Sequence, residues 1–146
     1  MTVQKKALTE IMAHARQALP AECCGLLVGS GDAIIEAVRS RNLADDPDRY
    51  LLDPKAHMDA RRAARERRLD VLGFYHSHPR SAPEPSARDL AEASYPDHVY
   101  LIVGVREDSA GGMPDARLFR LLANGFVNVP LVVVDSEHGR EKGDQR

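Results

Sequence analysis

Two histidines one residue apart, His76 and His78, stand closest to chemistry in this sequence, and Asp89 follows within the same fourteen-residue stretch. Side chains on an extended strand alternate between faces, so a His-x-His pair projects both imidazoles to one side, where they can reach a single ion. Asp89 arrives after a short loop broken by Pro79, Pro83 and Pro85. Three protein ligands of this type leave a fourth tetrahedral position open for water, which is the arrangement of a catalytic zinc ion rather than a structural one. The first expectation is therefore a zinc hydrolase with one ion held by His76, His78 and Asp89. Ser86-Ala87-Arg88-Asp89 also fits a helix capping box, with Ser86 at the N-cap and Asp89 reaching back to its amide. Both readings can hold, because a carboxylate has two oxygens, one for the metal and one for the amide.

The elements that must position these residues can be read from periodicity. Leu8, Ile11, Met12, Ala15 and Leu19 recur at three and four, predicting a helix over Val3–Leu19 that ends near Pro20. Cys24–Val28 and Ala33–Val38, separated by Gly29-Ser30-Gly31-Asp32, read as a hairpin with Glu22 at its entrance. Arg41–Pro54 is polar with apolar anchors at Leu43, Tyr50, Leu51 and Leu52, an ordered surface loop of the kind that lines sites. Lys55–Leu69 reads as a second helix, opened by Pro54, with a basic outer face. Val71–His78 is the metal-bearing strand, with Leu72, Phe74, His76 and His78 expected on one face. Ser86–Ser94 reads as a third helix, Val99–Val105 as a buried strand, and Arg106–Asp115 as a flexible loop. Leu118–Leu122 and Phe126–Val134 read as two more strands about the Asn124-Gly125 turn.

Length and composition narrow the class. A chain of 146 residues builds one domain but not a (β/α)₈ barrel of roughly 250 residues, which excludes the barrel amidohydrolases that also carry His-x-His. With 43% apolar and 29% charged residues and a net charge of −2, the chain reads as an ordinary globular protein with no nucleic-acid partner. Glu10, His14 and Arg16 interrupt any signal-peptide core and no apolar run is long enough for a bilayer, so no membrane association and a cytoplasmic location are expected. Cys23 and Cys24 are adjacent, read as reduced thiols on opposite faces of a strand, small buried hydrophobes outside the site. His14, His57, His98 and His138 fall outside ligand spacing and read as surface or helix-face residues. The stretch Arg61-Arg62, Arg65, Arg67-Arg68 reads as a solvated helix face, with attraction of an acidic partner as the alternative.

Beyond the spacing of single residues, the chain resembles the JAMM or MPN+ (Jab1/MPN/Mov34) metallopeptidases of the short bacterial and archaeal type. Their signature places a glutamate upstream of His-x-His, then seven residues, Ser, two residues and Asp. Here it runs Glu22, His76-Ser77-His78, Pro79 to Pro85, Ser86, Ala87-Arg88 and Asp89. Glu22-Cys23-Cys24-Gly25-Leu26-Leu27-Val28-Gly29 and the stretch from Tyr95 to Val103 are also similar, and the resemblance spans about residues 5 to 134. Nucleoside deaminases need a Pro-Cys-x-x-Cys missing from this sequence. Metallo-β-lactamase-like enzymes follow His-x-His with x-Asp-His, where Pro79-Arg80-Ser81 stands here.

The resemblance implies a single α/β domain, with a mixed curved β-sheet flanked by helices in a cytidine-deaminase-like arrangement, over residues 1–134, and a polar tail over 135–146. It implies that zinc lowers the pKa of its bound water toward about 7. Glu22 would act as general base and then general acid, and Ser86 would donate to the oxyanion of the tetrahedral intermediate. It also implies a ubiquitin-like or sulfur-carrier protein substrate, cut after a C-terminal diglycine that a narrow channel selects. So compact a chain fits a small partner, or a carrier bearing a C-terminal cysteine, better than polyubiquitin. The alternative is a catalytically inactive MPN scaffold; such relatives lose metal ligands or the glutamate, and this chain keeps all five positions.

Overall fold

The structure is a computed structural model that describes residues 1–105 and 115–135. In chain order its elements are β1 (Thr2–Gln4), α1 (Lys5–Ala18), β2 (Cys24–Ser30), β3 (Ala33–Ser40), α2 (Pro54–Glu66), β4 (Asp70–His78), α3 (Ala87–Glu92), β5 (Val99–Gly104), β6 (Asp115–Leu122), β7 (Gly125–Val129) and β8 (Val132–Val134). Among the described residues the strands form one eight-stranded sheet, ordered β7-β6-β5-β4-β2-β3-β1-β8. It is mixed: β1 runs parallel to β3 and β8, and β4 parallel to β5, while the other neighbours are antiparallel. The expected loop over Arg106–Asp115 and the tail beyond Asp135 lie almost wholly outside the described residues.

Strands β7 and β8 occupy opposite edges of this sheet, yet only Pro130 and Leu131 separate them. Three residue steps span at most about 11 Å, so the two edges must curl toward each other. The helix α1 lies against one face of that sheet. Its buried face of Ala7, Leu8, Ile11, Met12 and Ala15 packs with Leu27, Tyr75, Leu101, Val103 and Leu118. Each large apolar side chain buried there stabilises the fold by roughly 1.5–3 kcal/mol. The other face carries Leu26, Phe74 and Tyr100 against Ala60 and Ala64 of α2.

Several boundaries, and the face of one residue, differ from the sequence expectation; β6, for one, starts at Asp115 and not at Leu118. Val3 opens no helix: it is fully buried in β1, paired with Ile34 and Val133, and α1 starts two residues later. Helix α2 stops at Glu66 because Arg68 adopts a left-handed φ of 60°, and the Arg68 and Leu69 amides donate back to the Arg65 and Ala64 carbonyls. The expected strand Phe126–Val134 breaks at Pro130, which has no N–H for the ladder, and its halves join opposite edges. Within β4, Leu27 pairs with Gly73 but Val28 pairs with Val71, so Leu72 is the extra residue of a bulge. It packs on the α1 side, away from Phe74, His76 and His78, and does not share their face.

Candidate active site

The site stands at the C-terminal end of β4, a central strand. His76 pairs with Cys24 on one side and Ile102 on the other, and both imidazoles leave the face that carries α2. His76 is 2% and His78 5% exposed. Asp89 reaches them from the first turn of α3, with Oδ2 lying 3.2 Å from His76 Nε2 and 3.0 Å from His78 Nε2, and the two nitrogens are 3.3 Å apart. Ligands at about 2.0–2.1 Å from a tetrahedral ion stand about 3.3 Å from one another. These three atoms therefore fit one face of a tetrahedral metal site, and among the described residues only this group has that convergence. On its far side His78 Nδ1 donates to the Ala82 carbonyl at 2.8 Å, which fixes the ring, so that loss of the Nε2 proton, as metal binding requires, leaves the Nε2 lone pair facing the site.

Burial opposes ionisation of Asp89, but hydrogen bonds from both imidazoles outweigh it and hold the carboxyl far below its usual range. His76 is lowered by burial in spite of Asp89. His78, on which burial acts in the same sense, is raised overall by its hydrogen bonds to Asp89 and Ala82.

Ser86 caps α3. Its Oγ accepts from the Asp89 amide at 2.9 Å, while Asp89 Oδ2 accepts from the Ser86 amide at 2.9 Å. The expected division of labour between the two carboxylate oxygens does not occur: the same Oδ2 that faces the imidazoles takes the amide bond. The helix cap thereby aims the metal ligand. Because Ser86 Oγ acts as an acceptor in the cap, its own O–H remains available to donate.

Glu22 immediately precedes Cys23 and β2, so the β2–β4 pairing places it beside the strand that carries the histidines. It is 7% exposed, and its Oε1 is buried without a hydrogen-bond partner among the described residues. Burial raises its pKa from 4.5 to about 7, with His78 pulling it down and Asp89 pushing it up. A carboxyl with one oxygen unpartnered and poised near neutrality in this position is equipped to accept and return a proton.

Cys23 and Cys24 stay out of the donor set. Cys23 belongs to the α1-side core, Cys24 lies across the ladder from His76, and burial raises the thiols to about 11 and about 12. His14, His57 and His98 are not plain surface residues. His14 Nδ1 meets the Tyr75 hydroxyl at 2.7 Å, and His57 and His98 pack against Phe74. His138 lies outside the described residues.

Two residues that spacing did not single out border the site. Tyr50 stacks on His76 with ring centroids 4.4 Å apart and planes 22° apart, and it also lines a cavity of about 480 Å³ with Leu52, His57, Phe74, Tyr95 and Tyr100. Asn42 holds the loop that carries Tyr50. The signal for Tyr50 was its aromatic ring within a polar loop; Asn42 left none. Three ion pairs then tie this loop to the segment bearing Ser86 and Asp89: Arg80 with Asp48, Arg88 with Asp46 at 3.9 Å, and Arg49 with Glu92 at 3.0 Å.

Comparison with known proteins identifies the family. Residues 4–121 match the family described as prokaryotic homologs of the JAB domain. The chain is 40% identical over 109 residues to a protein named Desampylase from Haloferax volcanii, covering 70% of this chain and 78% of that one. It is 26% identical over 137 residues, 92% of each chain, to a protein named CysO-cysteine peptidase from Mycobacterium tuberculosis. The solution structure of a Desulfitobacterium hafniense protein superimposes with a TM-score of 0.82 at 33% identity, covering 94% of this chain and 95% of that one. The fold and these relatives place the chain among the JAMM/MPN+ hydrolases. Within that class, this chain belongs to the prokaryotic homologs of the JAB domain.

Proposed function

We propose that this chain is a zinc-dependent peptidase or isopeptidase that hydrolyses the amide bond after the C-terminal diglycine of a ubiquitin-like or sulfur-carrier protein. The observation that carries the reading is the convergence of His76 Nε2, His78 Nε2 and Asp89 Oδ2 within 3.0–3.3 Å, with the buried carboxyl of Glu22, its Oε1 unpartnered among the described residues, nearby. The substrate class is supported by the names of the Haloferax and mycobacterial relatives. Residues 1–134 are the catalytic domain in this reading. No described helix is long and apolar enough to cross a membrane. Two free, buried cysteines suit a reducing compartment, and we place the protein in the cytoplasm.

His76, His78 and Asp89 would hold the ion. The chemistry that zinc supplies there when bound is Lewis acidity toward a water molecule and an amide carbonyl. The remaining work falls to the chain. Glu22 takes the proton of the attacking water on its carboxylate and passes it to the departing amine nitrogen. Ser86 directs its O–H at the oxygen of the tetrahedral carbon while its Oγ keeps α3 capped. Tyr50 shields one face of His76, and the cavity it lines offers an extended polypeptide tail a place to lie.

The test is incubation with a panel of diglycine-ended carrier proteins bearing C-terminal extensions, followed by mass spectrometry with and without chelator. Loss of the extension mass that chelation abolishes is the expected result. An inert protein that also purifies without zinc after metal-replete expression would return the chain to the scaffold class.

A further inference from the structure

We propose that Asn42 is a positioning residue of this site, linking the backbone of Glu22 to that of Tyr50 and so setting the Glu22 carboxyl in register with the strand that bears His76 and His78. A carboxamide offers two N–H donors and an oxygen with two lone pairs. Asn42 uses all four. Its Nδ2 donates to the Glu22 carbonyl at 3.0 Å and to the Arg49 carbonyl at 3.1 Å. Its Oδ1 accepts from the amides of Ala44 and Leu51, both at 2.9 Å.

The partners explain what this saturation achieves. Arg49 and Leu51 flank Tyr50, so the carboxamide fixes the backbone on both sides of the ring that stacks on His76. The same carboxamide grips Glu22, whose amide donates to the Pro47 carbonyl of the same loop at 3.3 Å. One residue further on, the Cys23 amide donates to Ser77 Oγ at 2.9 Å, the hydroxyl between the two histidines. Glu22 is thus referenced to β4 from two directions: through Ser77 along the sheet, and through Asn42 and Tyr50 across the loop. Asn42 closes the second path. Aspartate would set an oxygen against two carbonyls, and glutamine adds a methylene that displaces the amide from the ring of partners.

The inference rests on the reading of Glu22 as the acid and base. Since misplacement of a reacting group by about 1 Å can cost about 10²-fold in rate, the effect belongs in kcat. The experiment uses the zinc-loaded full chain with a diglycine-ended carrier bearing a C-terminal extension, under multiple- and single-turnover conditions. Asn42→Asp and Asn42→Ala are compared with Glu22→Gln and with Glu22→Gln combined with Asn42→Asp; zinc content and thermal unfolding are recorded for each. The expected result for Asn42→Asp is wild-type zinc content, KM within about 2-fold, and kcat lowered about 10- to 100-fold. In the Glu22→Gln background the same substitution should lower the residual rate no further, because Asn42 acts through Glu22. A kcat near wild type, an equal fall in both backgrounds, or loss of zinc or of folded protein in both Asn42 variants overturns the inference. If Glu22→Gln is itself fully active, the acid/base reading has failed. If it is inactive while Asn42→Asp is normal, only this inference has.

Discussion

At the scale of single residues the fold bears a cost at Glu22. Its pKa rises from 4.5 to about 7 because burial disfavours the charged form. A carboxyl with a raised folded-state pKa binds its proton more tightly when folded, so its share of stability is greatest below pH 4.5 and declines as pH climbs to about 7. Metal-free Glu22→Gln should accordingly melt above wild type at pH 8 and level with it near pH 4.5, as calorimetry across pH would read; equal melting at both pH values would mean that Glu22 is solvated. Zinc-loaded Glu22→Gln should keep its metal and lose turnover by about 10²- to 10⁴-fold. Asp89→Ala should lose both metal and activity. Ser86→Ala should retain zinc, lose about 1 kcal/mol of stability with the cap, and fall about 10²- to 10³-fold in kcat; an unchanged kcat would confine Ser86 to capping. The histidines and Asp89 were legible because strand alternation and a short loop leave them few places to go. Asn42 was not, because a side chain that serves backbone groups scattered along a loop has no period and no fixed spacing.

At the scale of elements, β4 is built by features of opposite legibility. Alternation placed Phe74, His76 and His78 together, and the structure agrees. The same alternation misplaced Leu72, because a bulge is a property of the pairing and not of either strand read alone. Gly73, the neighbour of that bulge, lies so close to β5 that an added Cβ would stand 1.8 Å from the Val99 carbonyl oxygen. Backbone on both sides cannot yield. Gly73→Ala should therefore cost roughly 3 kcal/mol or more, seen as a fall of about 6–12 °C in Tm, and a variant as stable as wild type would mean that β4 and β5 are further apart. Helix α1 and α2 were readable from apolar spacing and from Pro54. Strand β1 was not, since three residues ahead of a helix carry no period. The split of the last strand was visible only as Pro130; nothing local says that its halves belong to opposite edges.

At the scale of the whole molecule, the site is assembled from separate segments, of which Glu22 and the histidines are held together by the β2–β4 ladder and Asp89 joins them from a short helix. His76 and His78 come from the centre of the sheet, Asp89 from a short helix, and Glu22 from the approach to β2. An ion that binds the folded chain alone couples them, and at free zinc about a hundred times its Kd this adds about 2.7 kcal/mol. Chelation should lower Tm by about 5–10 °C and zinc should restore it, whereas an unchanged Tm would speak against a bound ion. The loop over the site depends on weaker ties, since its ion pairs are between partly exposed groups that salt screens. The curl of the sheet carries its own consequence for synthesis. Every proposed site residue has been made once Asp89 is added, but the outer edge of β1 waits for Val132–Val134, nearly the whole chain later. As the protein leaves the ribosome, the residues of its chemistry are all available while Thr2, paired with Ala33 on one side, still lacks Val132 on the other. Pairing of such high contact order closes slowly, and for that interval β1 presents a bare strand edge to every other nascent chain.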